Sequence, residues 1–248
     1  MVKQGIYKIL YNYALTDTVY SMVLEGDTSA LIAPGQFVNI KLEGKFLRRP
    51  ISVCDYNDKT ITLIYKVVGD GTEQMSKMKA GEELDLLTGL GNGFNPEVPC
   101  QKPLLIGGGV GVAPLLYFGE ELKKAGIEVN FLLGARSKND LLELDEFKKR
   151  GNVYLSTEDG SEGEKGFVTT HSVLSQTWDM ISCCGPMPMM KAVAKYAVEN
   201  GVDCEVSLEN VMACGVGACL CCVEDTHDHG NVCVCKEGPV FNIKRLKW

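Results

Sequence analysis

Between residues 102 and 133 the chain reads as strand, glycine loop, helix, strand, and that order leaves few folds open. Lys102 to Ile106 is a short apolar run, and Gly107-Gly108-Gly109-Val110-Gly111-Val112-Ala113-Pro114 follows it. A helical pattern then extends from Pro114 to Lys124, and after a turn at Ala125-Gly126 a second apolar run spans Val129 to Leu133. Two such runs joined through a helix predict a βαβ unit with a buried parallel sheet. Glycines after the first strand let the backbone approach a phosphate, and the helix N-terminus supplies free N–H donors. Pro114 at the helix start removes no useful donor. The same loop also suits plain helix–strand packing, so both readings stay open. The full dinucleotide fingerprint is absent, because the second strand ends Gly134-Ala135-Arg136-Ser137 with no acid to hold a ribose. Glu158 and Asp159, after the third strand, are the nearest acidic candidates; otherwise they belong to a solvated loop.

The pattern continues with a helix over 141–150, a strand over 152–156, a strand over 178–184 and a helix over 188–200. Before Pro99 the style differs. Short alternating runs (GIYKILYNYA, VYSMVLEG, QFVNIKL, TITLIYKVV, EELDLLT) are separated by Gly, Asp, Asn and Pro, with one helix around Thr72 to Met78. Short strands with a turn signal about every ten residues predict an antiparallel barrel or sandwich. The expected organisation is therefore a β-barrel domain over 1–98, an α/β parallel-sheet domain over 99–200 and a small cysteine-rich module over 201–248.

Net charge of −7 argues against a nucleic-acid surface and against an anionic-membrane footprint. No stretch approaches the ~20 apolar residues of a spanning helix. The first residues show no apolar core followed by a cleavage site, so a cytoplasmic location is expected. In a reducing compartment eleven cysteines are metal ligands, catalytic groups or core filler rather than a disulfide framework.

Seven of the eleven follow residue 200, and four of them lie within nine positions. The spacing is Cys214-x4-Cys219-x2-Cys222, then twelve residues, then Cys235. This is the plant-type [2Fe–2S] pattern. Thiolates supply the charge and softness that iron requires. The Gly-Val-Gly-Ala stretch between Cys214 and Cys219 lets main-chain N–H groups turn towards sulfur. A tetrahedral zinc site from Cys219, Cys222, Cys233 and Cys235, with His227 and His229 nearby, is the competing reading, and it leaves Cys214 unexplained. Cys221 and Cys233 are surplus to the iron–sulfur assignment.

Two further stretches carry chemistry. Arg48-Arg49-Pro50-Ile51-Ser52 opens a barrel strand, where an arginine fork and a hydroxyl can bind a diphosphate; its plain alternative is an exposed arginine pair. Gly71-Thr72, at a helix start, offers further N–H donors. Cys183-Cys184-Gly185-Pro186 ends a strand at the sheet edge where ligands usually bind, although a buried free cysteine is also common core filler.

In this order the stretches resemble the ferredoxin-NADP reductase family: an Arg-x-x-Ser barrel, a Gly-Gly-x-Gly-x-x-Pro loop, then Cys-Gly-Pro. The resemblance implies that Arg49, Pro50, Ile51 and Ser52 line FAD, as do Ile64, Tyr65 and Lys66, with Gly71 and Thr72 on the diphosphate. It also implies that Gly108, Gly109 and Gly111 serve the nicotinamide dinucleotide and that Cys184 stands near the hydride-transfer face. Ser207-Leu208-Glu209-Asn210, Cys235-Lys236-Glu237-Gly238-Pro239-Val240-Phe241, Asp159-Gly160-Ser161 and Lys165-Gly166-Phe167-Val168 carry a closer likeness. They resemble the electron-transfer subunits of type-B dihydroorotate dehydrogenases, over essentially the whole chain. Thr88-Gly89 departs from the Gly-Pro expected before Leu90-Gly91-Asn92-Gly93-Phe94.

That likeness implies a [2Fe–2S] cluster on Cys214, Cys219, Cys222 and Cys235, FAD, and NAD as electron acceptor. It implies an FMN-containing dihydroorotate dehydrogenase catalytic subunit as partner, in a heterotetramer of two copies of each chain. Arg136 keeps NADP open from the residues alone, and only the family argues for NAD. The rivals are an electron-transfer subunit of a related ferredoxin:NADP oxidoreductase or sulfide dehydrogenase, in which an aspartate is expected in place of Cys214, and a non-catalytic zinc-binding scaffold on a degenerate reductase fold.

Overall fold

The computed structural model describes residues 1–248. The first part is a closed six-stranded antiparallel barrel. Its strands are β1 (Lys3–Ala14), β2 (Val19–Glu25), β3 (Phe37–Lys41), β4 (Arg49–Tyr56), β5 (Thr60–Lys66) and β6 (Glu83–Leu90), in the order β1-β2-β5-β4-β3-β6 with β6 closing on β1. Alternation along each strand fills the barrel: Ile9, Met22, Val38, Ile40, Leu63, Tyr65 and Leu86 point inward and are essentially inaccessible. Helix α1 (Asp70–Ser76) starts two residues before the expected Thr72, because the Thr72 hydroxyl accepts from Val68 N and Gly69 N and so defines the turn that opens it.

The second part is a seven-stranded sheet. It contains β7 (Pro103–Gly108), β8 (Asn130–Ala135), β9 (Asn152–Thr157), β10 (Glu164–Lys165), β11 (Met180–Cys184), β12 (Asp203–Ser207) and, after a small hairpin of β13 (Val223–Thr226) and β14 (Gly230–Cys233), β15 (Val240–Asn242). The order is β10-β9-β8-β7-β11-β12-β15, parallel except for the edge strand β15. Helices α2 (Ala113–Lys124), α3 (Leu144–Arg150) and α4 (Met187–Asn200) cover its faces, and α5 (Val234–Glu237) is a single turn before β15. Helix α3 begins three residues later than its apolar pattern suggests. Ser137 and Asp140 form a reciprocal cap on a short 3₁₀ turn, and Leu141 leaves it in an extended conformation. No helix is long and apolar enough to cross a membrane.

The sheet does not stop at residue 200. β12 pairs with β11, and β15 returns to pair with β12, so the cysteine-rich stretch between them is an excursion from one sheet edge. The chain leaves β7 towards β8 on one side and later fills β11 on the other, which places the topological switch at the carboxyl ends of β7 and β11.

Barrel and sheet share apolar core. Cys54, Ile64 and Phe94 pack with Leu115 and Phe118 of α2, and the Phe94 and Phe118 rings stack with centroids 4.8 Å apart. Each such buried ring contributes about 2 kcal/mol. Arg150 of α3 adds a polar tie, pairing with Asp55 of β4 at 3.5 Å and with Glu120 of α2 at 3.2 Å.

Glu205 of β12 accepts a hydrogen bond from the Ser182 hydroxyl at 2.8 Å. Burial pushes its carboxyl up to about 7, against that hydrogen bond. The unfolded carboxyl titrates near 4.5. Between these values the unfolded chain has released the proton while the folded chain retains it, so stability falls as pH rises through the window. Glu205→Gln is expected to flatten this decline in urea midpoints measured from pH 4.5 to 7. An unchanged slope would contradict the assignment.

Candidate functional site

Three candidate sites meet around the switch point. The first is the outer face of β4. Arg48 and Arg49 look equivalent in sequence but diverge in the fold. Arg48 is committed to structure: its Nη1 donates to Asp85 Oδ1 at 2.9 Å and to the main-chain carbonyls of Asn39 and Asp85. Arg49 has no carboxylate partner, and its guanidinium lies against α1. A Cβ at Gly71 would fall 2.2 Å from Arg49 Nε, so only glycine permits this approach. Arg49, Gly71 and Thr72 therefore meet at the opening turn of α1. The Thr72 hydroxyl is used within its own turn.

Pro50 and Ser52 pair across the ladder with Asn39 and Phe37 of β3 and share their outward face. Ile51 turns the other way and packs on the barrel core. In β5, Ile64 packs towards α2, whereas Tyr65 points into the barrel and donates from its hydroxyl to Asn12 Oδ1 at 2.9 Å. The Tyr65 ring is thus unavailable as a cofactor platform, a consequence of strand alternation that the resemblance alone did not register. Lys66 is exposed at the end of β5.

The second site is a cavity of about 600 Å³ at the carboxyl ends of β7 and β8. Gly108 and Gly109 line it, and Lys66 and Thr18 bring the barrel to its rim. Gly111 plays a different part. A Cβ there would lie 2.6 Å from the Cys184 carbonyl oxygen and from Gly185 N, so Gly111 serves close packing of the loop on the end of β11 rather than the cavity lining. Cys184 is half-buried, and burial pushes its thiol up to about 12 despite a hydrogen bond with Ser207. It is a neutral thiol at physiological pH, suited to contact and unsuited to nucleophilic chemistry. Arg136, Asp140 and Glu158 also line the cavity. The Asp140 carboxylate also accepts from the Ser137 main chain and hydroxyl.

The third site is the cysteine loop. Cys222 and Cys235 are buried in the core that also holds Phe37 and Leu90 of the barrel, while Cys214 is half-buried and Cys219 exposed. Main-chain amides converge on sulfur. Cys214 Sγ accepts from Val216 N at 3.4 Å and Ala218 N at 3.3 Å, Cys235 Sγ from Gly217 N at 3.1 Å, and Cys222 Sγ from Cys235 N at 3.4 Å. Burial opposes ionisation of Cys214, but the Val216 and Ala218 amides together with Cys219 pull it down to about 6. Leu220, with φ +57°, turns the chain between Cys219 and Cys221. The surplus cysteines behave differently: Cys233 Sγ donates to the Gly217 carbonyl, and Cys221 is exposed. A loop whose amides face its sulfurs fits the acceptor sulfurs of an iron–sulfur cluster.

One supporting residue was not singled out from sequence. Asn92 follows β6, and its main-chain N–H donates to the Gly238 carbonyl at 2.6 Å. Its side-chain Nδ2 donates to the carbonyls of Lys236 and Glu237, at 3.1 and 3.2 Å. It thereby ties the barrel to the turn that carries Cys235. The Leu90-Gly91-Asn92-Gly93-Phe94 motif was visible, but nothing local indicated that its partner lay some 145 residues away. Asn92→Ala is expected to leave FAD content unchanged while iron is lost to a chelator several-fold faster; equal loss rates would contradict this tie.

Comparison with known proteins places the chain in a family. Residues 209–247 match the family described as the iron–sulfur cluster binding domain of dihydroorotate dehydrogenase B, and residues 105–195 match the oxidoreductase NAD-binding domain. The chain is 40% identical to the dihydroorotate dehydrogenase B (NAD(+)) electron transfer subunit of Clostridium perfringens, over 95% of this chain and 94% of that one. It is 42% identical to the same subunit of Streptococcus thermophilus, over 90% of each. A solved structure of an NADH-dependent reduced ferredoxin-NADP oxidoreductase superposes with a TM-score of 0.87 at 31% identity, covering 98% of this chain and 90% of that one. The ferredoxin NADP+ reductase of Neisseria gonorrhoeae, solved with FAD and NADP bound, shares the fold at 21% identity and a TM-score of 0.69, over 80% of this chain and 92% of that one. The iron–sulfur match displaces the zinc reading, and the chain belongs to the family of dihydroorotate dehydrogenase B (NAD(+)) electron transfer subunits.

Proposed function

We propose that this chain takes single electrons from the FMN of a dihydroorotate dehydrogenase catalytic subunit and delivers them, through a [2Fe–2S] cluster and FAD, to NAD+. The observation that carries this reading is the position of the cysteine loop. Cys222 and Cys235 share one buried core with Phe37, in the strand paired with Pro50–Ser52, so the cluster thiols stand beside the face expected to hold the flavin.

FAD, when bound, supplies the exchange between one-electron and hydride chemistry that neither a cluster nor a nicotinamide performs alone. The chain's own residues bind, orient and shield. Arg49 neutralises the diphosphate, and main-chain amides of Gly71 and Thr72 donate to it. Pro50 and Ser52 present the β4 face to the flavin. Gly108 and Gly109 let the dinucleotide backbone approach β7, and the neutral Cys184 borders the site where water must be excluded. Asp140 and Glu158 favour NAD by accepting from ribose hydroxyls. Cys214, Cys219, Cys222 and Cys235 ligate iron, and Cys221 and Cys233 do not.

Val211, Val216 and Leu220 are exposed apolar side chains around the cluster loop, which suits docking of the FMN-bearing chain there. Dihydroorotate oxidation belongs to that partner, and the assembly contains two copies of each chain. The location proposed is the cytoplasm, where thiols stay reduced and available to iron. The related ferredoxin:NADP oxidoreductase reading is less well supported, because a cysteine occupies position 214 where an aspartate is expected.

Reconstitution with the FMN-bearing subunit tests the function: dihydroorotate-dependent reduction of NAD+ should require this chain, and activity without it would contradict the proposal. Cys235→Ser should lower iron content, whereas Cys233→Ser should preserve it; full iron in the first variant would overturn the ligand set. Arg49→Ala should lose FAD on desalting, and full flavin occupancy would exclude Arg49 as the diphosphate ligand.

A further inference from the structure

Asn39, in the middle of β3, is fully buried, and neither its Nδ2 nor its Oδ1 has a hydrogen-bond partner. The only other buried side-chain polar atom without a hydrogen bond is Arg150 Nε, and that atom lies 3.2 Å from the Glu120 carboxylate. Leaving a buried amide unpaired destabilises a fold, because the group has given up its hydrogen bonds to water. A fold that accepts this at one side chain next to a cofactor loop has a use for it.

The geometry indicates the partner. Along β3, Val38 and Ile40 fill the barrel, whereas Phe37 joins the core that contains Cys222 and Cys235. Asn39, two residues on from Phe37, faces the same way. Its amide abuts the cysteine loop: a Cβ on Gly215 would lie 2.7 Å from Asn39 Nδ2. Gly215 has φ +74° and follows Cys214 directly, so the loop turns its main chain, bare of a side chain, onto the amide. The other donors at this end of the loop, Val216 N and Ala218 N, already point at the Cys214 sulfur. Asn39 is therefore a side-chain donor from the barrel, presented to the same end of the cluster site that the loop's own amides serve.

We propose that Asn39 Nδ2 donates a hydrogen bond to a sulfur at the Cys214 end of the [2Fe–2S] cluster and thereby raises the cluster's reduction potential. The donor dipole stabilises the more negative, reduced state, and its effect is strengthened by burial. Because Asn39 shares its face with Pro50 and Ser52, one barrel strand pair would then adjust the cluster while contacting the flavin. The inference rests on the iron–sulfur reading given above.

Asn39→Leu keeps the approximate shape and removes the donor. Compared with wild type, it is expected to retain iron and FAD and to lower the cluster midpoint in an EPR-monitored redox titration. An equilibrium shift of about tenfold corresponds to about 59 mV for one electron. The flavin midpoint should not move. An Asn39→Leu variant with full iron and an unchanged cluster midpoint would overturn the proposal. Where this variant loses its iron, the wild-type protein decides the matter. With asparagine selectively labelled with ¹⁵N, pulsed EPR of the reduced cluster should show a coupled ¹⁵N nucleus, and its absence would also overturn the proposal. Wild-type protein that binds no iron would instead refute the iron–sulfur reading itself.

Discussion

The apolar seam between the barrel and the sheet is the constraint on which the rest of the molecule depends. Phe94 stacked on Phe118, with Cys54 and Ile64 against α2, fixes the outward face of β4 relative to the cavity at the carboxyl ends of β7 and β8. On the other side, Phe37 and Leu90 enter the core that buries Cys222 and Cys235. Electron transfer weakens steeply with distance, so a carrier of this kind needs its redox groups held at fixed separations. A large apolar contact supplies that rigidity where a polar interdomain interface would permit relative motion. The Arg150 contacts with Asp55 and Glu120 add register to the same seam.

The cysteine loop shows how the arrangement is completed. Its two buried thiols are anchored by the shared core, and its two outer ones lie nearer the surface. Main-chain amides of residues 216–218 face sulfur, and Asn92 ties the Cys235 turn to the end of β6. The loop is thus held from both the sheet and the barrel. This explains why the sheet must continue past residue 200: β12 and β15 are the two posts between which the cysteine loop is strung.

Much of this was legible in the sequence because the signals are local. The glycine loop between a strand and a helix, the alternation of the barrel strands and the Cys-x4-Cys-x2-Cys spacing each lie within one short stretch. What escaped depends on long-range contact. Residues 203–207 have a strand's composition, but the dense cysteines beyond them suggested a separate module, and β15 is too short to show a period. Tyr65 was placed at the flavin by resemblance, and strand alternation turns its ring into the barrel. Arg48 and Arg49 are indistinguishable until Asp85 claims the first. Asn39 reads as an ordinary polar residue in a strand until the fold brings Gly215 against it.

One rigid chain is expected to carry a flavin and a two-iron cluster side by side. The most direct test is a visible spectrum of anaerobically purified protein, with iron and FAD assayed on the same sample. Flavin bands near ~450 nm overlaid on broad iron–sulfur absorption, with about two irons per FAD, are the expected result. A colourless protein, or one holding zinc in place of iron, would contradict it.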